Sequence, residues 1–220
     1  MPKRDFIGSV AEKGIIYGIT NQRTLIVTSG QFSDDKHIVI PEKVAGMLVV
    51  GIAEEAFQNS EKIHSIHLPP TLTEVENYAF NRCVNLKNVK MHASTVYLGS
   101  SAFAHCQNLM RVEGNDIMTL SDRAFWKCPK LEKIYANFRG DVFTQTFGGC
   151  WVLKDITFSN VSLHRLVFWG CKSLKTLYFN GTVSAPDDVM QEIAKRTVVC
   201  HSDSPLVELG YNGTSIIVKD

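Results

Sequence analysis

The sequence contains no apolar run that approaches the roughly 18 residues that suggest a membrane-spanning helix. It also lacks an excess of charge of one sign, because 23 basic and 22 acidic residues give a net charge of +1. Proteins that bind nucleic acids normally carry a basic face. We therefore expect neither a nucleic-acid partner nor insertion into a membrane.

Motifs for catalysis and for cofactors are missing as well. The chain has no G-x-x-x-x-G-K-[ST], no G-x-G-x-x-G and no C-x-x-C. His64 and His67 stand close together in the sequence, but strand geometry separates their directions and no third metal ligand is evident. We therefore expect no cofactor, no metal site and no catalytic residues, so the chain is not expected to be an enzyme.

The first residues do not form a secretory signal. The segment from Met1 to Phe6 is basic, but no long apolar core follows it. This predicts a cytoplasmic protein if Met1 is the native start, and otherwise a protein from which a signal has been removed.

What the sequence does contain is a repeat, present in six copies over residues 52–180. The copies are 21–23 residues long and follow the pattern V-x-x-x-A-F-x-x-C-x-x-L-x-x-I-x-L. Thr146 and Val167 replace the Ala in the last two copies. The repeated phenylalanines are Phe57, Phe80, Phe103, Phe125, Phe147 and Phe168.

Each copy predicts a short helical segment followed by a strand. Its Ala, Phe, Cys and Leu stand about three residues apart, which places them on one face of a helix. Its I-x-L element alternates as a strand does. One such coil cannot bury its apolar face alone, whereas stacked coils can, so the repeat predicts a solenoid.

Five of the six cysteines occupy one position of the repeat. An inward-facing thiol packs as a small hydrophobic side chain, which is the interpretation we favour. Disulfides between neighbouring coils remain an alternative. The residues concerned are Cys83, Cys106, Cys128, Cys150 and Cys171.

The A-F-x-x-C-x-x-L element resembles that of the BspA-like leucine-rich-repeat proteins, over about residues 38–180. Residues Ile38–Val44 and Val49–Ile52 look like the lead into the first coil of that family. The resemblance implies an α/β fold, namely a right-handed leucine-rich-repeat solenoid with a parallel sheet on one face and short helical segments on the other. It also implies extracellular or surface proteins of host-associated bacteria and some protists, linked to adhesion and to binding of host proteins, without catalytic residues.

Both ends of the solenoid are expected to be capped, because a bare terminal coil exposes apolar surface and strand edges. We predict a single domain over residues 1–220, with an N-terminal cap and lead-in strand in 1–51, six repeats in 52–180 and a C-terminal cap in 181–220. The cap elements predicted are a hairpin of Ile15–Ile19 and Thr24–Val27, a helix that starts near Pro186, a seventh strand at Thr197–Cys200, a short helix at Pro205–Leu209 and a last strand at Ser215–Lys219.

The residues on either side of the last Ile of each repeat are expected to point outward from the sheet. These two columns mix charged residues with two tyrosines, and aromatic residues carry much of the energy of protein interfaces. An ordinary solvated face would also be polar. We predict a binding module for another protein, with a host extracellular protein as one candidate, that uses the concave sheet face through Tyr135, Tyr178, Arg111, Lys133, Lys90, Glu113, Asp155 and His67.

A second candidate surface lies on the helical side of coils four to six. Trp126 and Trp169 directly follow the repeat Phe, and Trp151 stands four residues after its Phe. Exposed aromatic clusters often mark interfaces. This suggests, as an alternative function, a structural protein that self-assembles through the tryptophan side or a cap edge, with its oligomeric state open. The other interpretation is that each ring lies flat between coils and seals the stack.

Overall fold

The computed structural model describes residues 4–30, 36–92, 96–201, 204, 206–207 and 216–219. These residues form a solenoid of strands joined by turns, with one helix. The strands are β1 (Gly8–Glu12), β2 (Ile15–Ile19), β3 (Leu25–Gly30), β4 (His37–Val39), β5 (Lys43–Val44), β6 (Met47–Ile52), β7 (Ser65–Leu68), β8 (Glu74–Val75), β9 (Asn88–Met91), β10 (Val96–Leu98), β11 (Arg111–Leu120), β12 (Lys133–Val142), β13 (Asp155–Leu163), β14 (Thr176–Phe179), β15 (Val183–Ser184), β16 (Thr197–His201) and β17 (Ile216–Lys219), and one helix, α1, spans Asp187–Ala194.

Two parallel ladders of strands run along the solenoid. The first joins β4, β7, β9, β11, β12, β13, β14, β16 and β17 in that order. The second joins β3, β6, β8, β10, β11, β12, β13 and β15. Strands β11 to β13 belong to both ladders because they run without a break through each coil. In the first coil, Pro69 and Pro70 end β7 since proline has no N–H to donate to a ladder.

The predicted solenoid with a parallel sheet is confirmed, but its other side is not helical. In the first coil, Ala56 and Ser60 donate their N–H groups to the carbonyls three residues earlier, so each closes a tight turn. Glu55 and Asn59, at the third position of these turns, have φ of +59°, as a type II turn requires. The next N–H, that of Phe57, donates to Ala79 of the following coil at 2.8 Å. Turns therefore replace the helix because they leave backbone groups free to bond between coils, which a helix would use internally.

The repeat phenylalanines form a stack through the core. Phe80 and Phe103 lie with ring centroids 5.0 Å apart and nearly parallel, and Phe125 follows at 5.5 Å from Phe103. All three rings are fully buried. The inward face of each coil thus packs only on its two neighbours, as expected for a solenoid.

The cysteine column is buried and its thiols are free. Each Sγ donates to the carbonyl of the repeat Phe of the preceding coil, as in Cys128 to Phe103 at 3.1 Å. Burial raises the pKa of Cys83 and of Cys171 to about 12. The interpretation of these residues as small packed side chains therefore matches the structure, and the inter-coil disulfides are absent from it.

Antiparallel strands precede the coils. Strands β2 and β3 pair over the segment that predicted a hairpin, and β1 adds to β2 on the other side. Strand β1 was not predicted, because most of its side chains are exposed and it carries no apolar alternation. Strand β3 then joins the second ladder through β6.

At the other end, α1 carries Val189 and Ile193 on its buried face. The predicted seventh strand and last strand correspond to β16 and β17, each parallel to its neighbour. Of the short helix predicted at Pro205–Leu209, the structure describes a 3₁₀ turn at 206–207, and the rest lies outside the described residues. The division of the chain at residues 51 and 180 stays a prediction.

Candidate functional site

The outer face of the first ladder carries the predicted columns. Along β12, Ile134 is buried while Lys133 and Tyr135 are exposed, and Tyr135 shows 52% of its surface. Along β7, His67 is exposed between buried Ile66 and Leu68. The alternation of a strand therefore presents these side chains outward, as the repeat pattern predicted.

The ladder loses its register between β12 and β13. Lys133 to Tyr135 stand opposite Arg111 to Glu113 of β11. On the other side of β12, however, Thr157 pairs with Asn137 rather than with Tyr135, the equivalent residue of the repeat. A two-residue slip therefore separates the columns of the first four coils from those that follow.

The slip has a cause in the core. Phe158 stands at the inner position that ends the I-x-L element of coil five, and Phe138 of coil four pairs with it. The repeat would place Ala136 there, but Phe138 is fully buried and packs at 5.9 Å from Phe158. A Phe ring buries far more apolar surface than a methyl group, so Phe138 takes the position opposite Phe158 and shifts the pairing of the preceding residues by two, while Ala136 stays buried.

Two open clefts adjoin at this slip. The smaller, of about 440 Å³, is lined by Lys90, Met91, His92, Arg111, Glu113, Gly114, Asn115 and Tyr135. The larger, of about 780 Å³, is lined by Gly114, Asn115, Asp116, Lys133, Ile134, Tyr135, Ala136, Asn137, Asp155 and Thr157. Tyr135, Gly114 and Asn115 line both clefts and therefore form the rim between them.

Charges of both signs surround this tyrosine. The Arg111 guanidinium lies 5.7 Å from the centre of the Tyr135 ring and 3.7 Å from the Glu113 carboxylate. In the larger cleft, Asn137 donates to Asp116 at 2.9 Å. Arg111 and Glu113 are both well exposed, so their ion pair contributes little to folding and remains available to a partner.

The described residues include no group of three His, Cys, Asp or Glu side chains that could hold a metal ion. The clefts instead offer the exposed ring of Tyr135, charged side chains of both signs and the small residues Gly114 and Ala136. Such a set suits contact with a macromolecule better than proton transfer or nucleophilic attack.

Six of the eight predicted residues line these clefts, namely Lys90, Arg111, Glu113, Lys133, Tyr135 and Asp155. The other two lie on the same ladder, one rung beyond them. His67 pairs with Lys90, and Tyr178 pairs with Thr157. The structure thus gathers most of the predicted residues around Tyr135 and leaves His67 and Tyr178 to either side.

Sequence reasoning missed Gly114, Asn115, Asp116 and Asn137. One signal was present: the I-x-L element ends in Leu68, Met91, Phe158 or Phe179 elsewhere, but in small residues in coils three and four. Gly114 and Ala136 are those residues. A small residue at an inner position leaves space that another side chain must fill. The pairing register of the strands changes at such positions.

The tryptophans of the second candidate patch do not form one cluster of equivalent rings. Trp126 and Trp169 stack with centroids 5.3 Å apart, and Trp126 covers Gly148 of the coil between them. Trp151 and Trp169 are each 54% exposed, while Trp126 is half-buried. Trp126 therefore covers the backbone of the coil between the two rings. Trp151 occupies a different position of the repeat, four residues after its Phe, whereas Trp126 and Trp169 directly follow theirs.

A family model for the BspA type leucine-rich repeat region matches residues 32–144 and 114–190, with six copies. The chain belongs to this family. The resemblance carried by the A-F-x-x-C-x-x-L element is thereby confirmed. The family's repeats support a binding or surface module rather than one specific activity.

Solved structures share the fold at low identity. A leucine-rich cell surface protein of Faecalibacterium prausnitzii is 19% identical with a TM-score of 0.70, and the match covers 91% of this chain and 56% of that one. A T. pallidum leucine-rich repeat protein is 20% identical with a TM-score of 0.56, and the match covers 86% and 95% of the two chains. This chain thus spans little more than half of the F. prausnitzii protein. No curated protein matches the sequence.

Within the described residues, none of the helices is both long and apolar enough to span a bilayer.

Proposed function

We propose that the chain is a non-enzymatic module that binds another protein on the outer face of its first ladder, centred on Tyr135. The observation that carries this proposal is the pair of adjoining clefts at the register slip, with Tyr135 on their shared rim. A half-exposed aromatic ring flanked by recesses is the usual form of an energetic anchor at a protein interface.

The partner is a protein with charges of both signs. Lys133 and Asp155 line the same cleft, and Arg111 and Glu113 line the other. A purely cationic or purely anionic partner would meet like charge in each cleft, whereas a mixed surface can match both signs. The clefts are also broad and open, which favours an extended contact over the capture of a small molecule.

Surface location and adhesion are part of the proposal. The F. prausnitzii protein of the same fold is described as a cell surface protein. By extension, we propose that this chain acts at a cell surface and that its partner is a host extracellular protein. Parallel pull-downs from host extracellular matrix and from lysate of the producing cell identify the partner, and enrichment from the lysate alone contradicts the surface role.

Single substitutions then test the face. Tyr135→Ala is expected to weaken binding at least tenfold, the range of an interface anchor. Val39→Ala is the matched control, because Val39 is 65% exposed and belongs to the same outward column, in register with His67. Affinity that is equal in the parent and both variants would contradict this face as the binding site.

A further inference from the structure

A cavity of about 490 Å³ lies between α1 and the turn segment of coil six. It shares no lining residue with the two clefts of the sheet face. Its floor is apolar and buried, with Val167, Phe168 and Val189. Its volume is in the range of sites for small ligands, and it is more enclosed than the sheet-face clefts.

Trp169 forms one wall of the cavity. One face of its indole is covered by Trp126, which belongs to coil four. The helix α1 follows coil six, so it lies on the other side of Trp169 from Trp126 along the solenoid. The indole face that Trp126 leaves free is therefore the face that lines the cavity, and it offers a flat apolar surface of one ring system.

The opposite wall is polar and held in place. The Arg196 side chain is only 10% exposed, and its guanidinium lies 5.5 Å from the centre of the Phe168 ring. Its Nη1 donates to the backbone carbonyl of Glu192. Its Nε is buried and has no hydrogen-bond partner. The groups of this wall that a ligand can reach are the exposed side chains of Asp188, Gln191 and Lys195, which both donate and accept hydrogen bonds.

The charges on the wall select the ligand. The lining includes two carboxylates, Asp188 and Glu192, and three cationic groups, Lys172, Lys195 and Arg196. Glu192 is already paired with Lys195 at 2.8 Å. A free anion would meet two carboxylates, and a free cation would meet three cationic groups. A purely apolar ring would leave the polar wall without partners. Hydroxyl groups both donate and accept, so they can bond to both signs.

We propose that this cavity binds a saccharide, with the C–H face of one sugar ring on the free indole face of Trp169 and the hydroxyls on the α1 wall. Asp188 accepts from the hydroxyls, and Gln191 both donates to them and accepts from them. The site is independent of the proposed protein-binding face. It gives the module a second ligand, of a class that surface glycans present.

Fluorine NMR tests the site directly, because the chain has only three tryptophans. The full chain is labelled with 5-fluorotryptophan, and each resonance is assigned by a Trp→Phe variant. Methyl β-D-glucoside, methyl β-D-galactoside and N-acetyl-D-glucosamine are titrated in turn. At least one is expected to shift the Trp169 resonance saturably, with a Kd in the millimolar range typical of so small a ligand, while the Trp151 resonance stays in place.

Two variants separate the cavity from general exposure of tryptophan. Because Trp169→Ala has no Trp169 resonance, saturation-transfer NMR on the sugar protons compares the variants. Trp169→Ala is expected to weaken sugar binding at least tenfold, and Trp151→Ala, which removes an equally exposed ring outside the cavity, is expected to leave it unchanged. If Trp169→Ala does not fold, Gln191→Ala on the exposed part of the wall takes its place.

Three results overturn the proposal. One is the absence of any saturable shift of the Trp169 resonance at sugar concentrations up to 50 times the expected millimolar Kd. Another is an equal loss in the Trp169 and Trp151 variants. The third is tighter binding of benzoate or benzylamine than of every sugar, which would assign the cavity to flat charged ligands. None of these results bears on Tyr135 and the sheet face.

Discussion

Trp126 and Trp169 stack across an intervening coil, with ring centroids 5.3 Å apart, because Gly148 stands at the matching position between them. A Cβ atom at Gly148 would lie 2.2 Å from Cζ3 of Trp126. The contact between coils four and six thus depends on one missing side chain in coil five.

Gly148→Ala is therefore expected to displace Trp126 and separate the two rings. Overpacking of this kind lowers the free energy of unfolding by about 1–3 kcal/mol. Urea unfolding followed by tryptophan fluorescence measures both effects. Gly114→Ala is the control, since an added Cβ there meets Met91 at an ordinary 3.6 Å. Equal stability of the two variants would show that the rings do not need the glycine.

Gly149 lies in one of the turns that replace the predicted helix, so substitutions at this position test how much the turns depend on a left-handed φ. Its φ is +75°, in the left-handed region, and His105 has φ of +60° at the same position of its own coil. Gly149→Ala is expected to cost roughly 1–2 kcal/mol because an L side chain is strained there. The reverse change, His105→Gly, is expected to shift stability by less than about 1 kcal/mol, since relief of strain offsets the greater freedom of the unfolded chain. Thermal or urea unfolding of both variants decides the matter, and a neutral Gly149→Ala would contradict the role of the turn.

Phe103 lies between two rings of the core stack, 5.0 Å from Phe80 and 5.5 Å from Phe125. Phe103→Ala is expected to lower the free energy of unfolding by roughly 3–5 kcal/mol. Phe6, which is 37% exposed, gives the comparison, and Phe6→Ala should cost clearly less. If the two variants melt alike, the stack does not carry the stability of the coils.

The buried thiols make stability fall at alkaline pH. Burial raises the pKa of Cys83 and Cys171 to about 12 and that of Cys128 and Cys150 well above the ordinary 9.0. Above pH 9 the unfolded chain loses these protons while the folded chain keeps them, so the unfolded state binds fewer protons. Stability is thus fully present below pH 9 and falls as pH rises, by up to about 1.4 kcal/mol per pH unit for each such thiol.

Urea unfolding between pH 8 and 9.5 measures this slope, because Tyr17, whose pKa burial raises from 10.0 to about 12, adds to it from about pH 10 upward. Cys128→Ala should reduce the slope by the share of one thiol, even though it also lowers stability throughout. The native thiols should react with a thiol reagent at pH 8 only after unfolding. Rapid labelling of the folded protein, or a slope that Cys128→Ala does not change, would count against the buried column.

The binding face could be predicted in part. Alternation along a strand was enough to point Lys90, Glu113 and Tyr135 outward, because a strand offers only two directions. Asn137 was out of reach, since it comes to stand opposite Thr157 only when Phe138 rather than Ala136 takes the inner position opposite Phe158. That competition depends on which side chain fills a shared interior, and the interior exists only once neighbouring coils have packed.

The amino-acid sequence by itself determined the solenoid, its period and its buried columns, because a side chain that recurs once per coil must meet its own copies in the coils above and below. Only the tertiary structure decided the turns in place of helices, the register slip beside Tyr135 and the cavity between Trp169 and α1. The turns recur from coil to coil, whereas the register slip arises where one coil departs from the repeat, at Phe138. The outcome there depends on the space and hydrogen-bonding groups that the adjacent coils provide, which no single copy of the repeat contains.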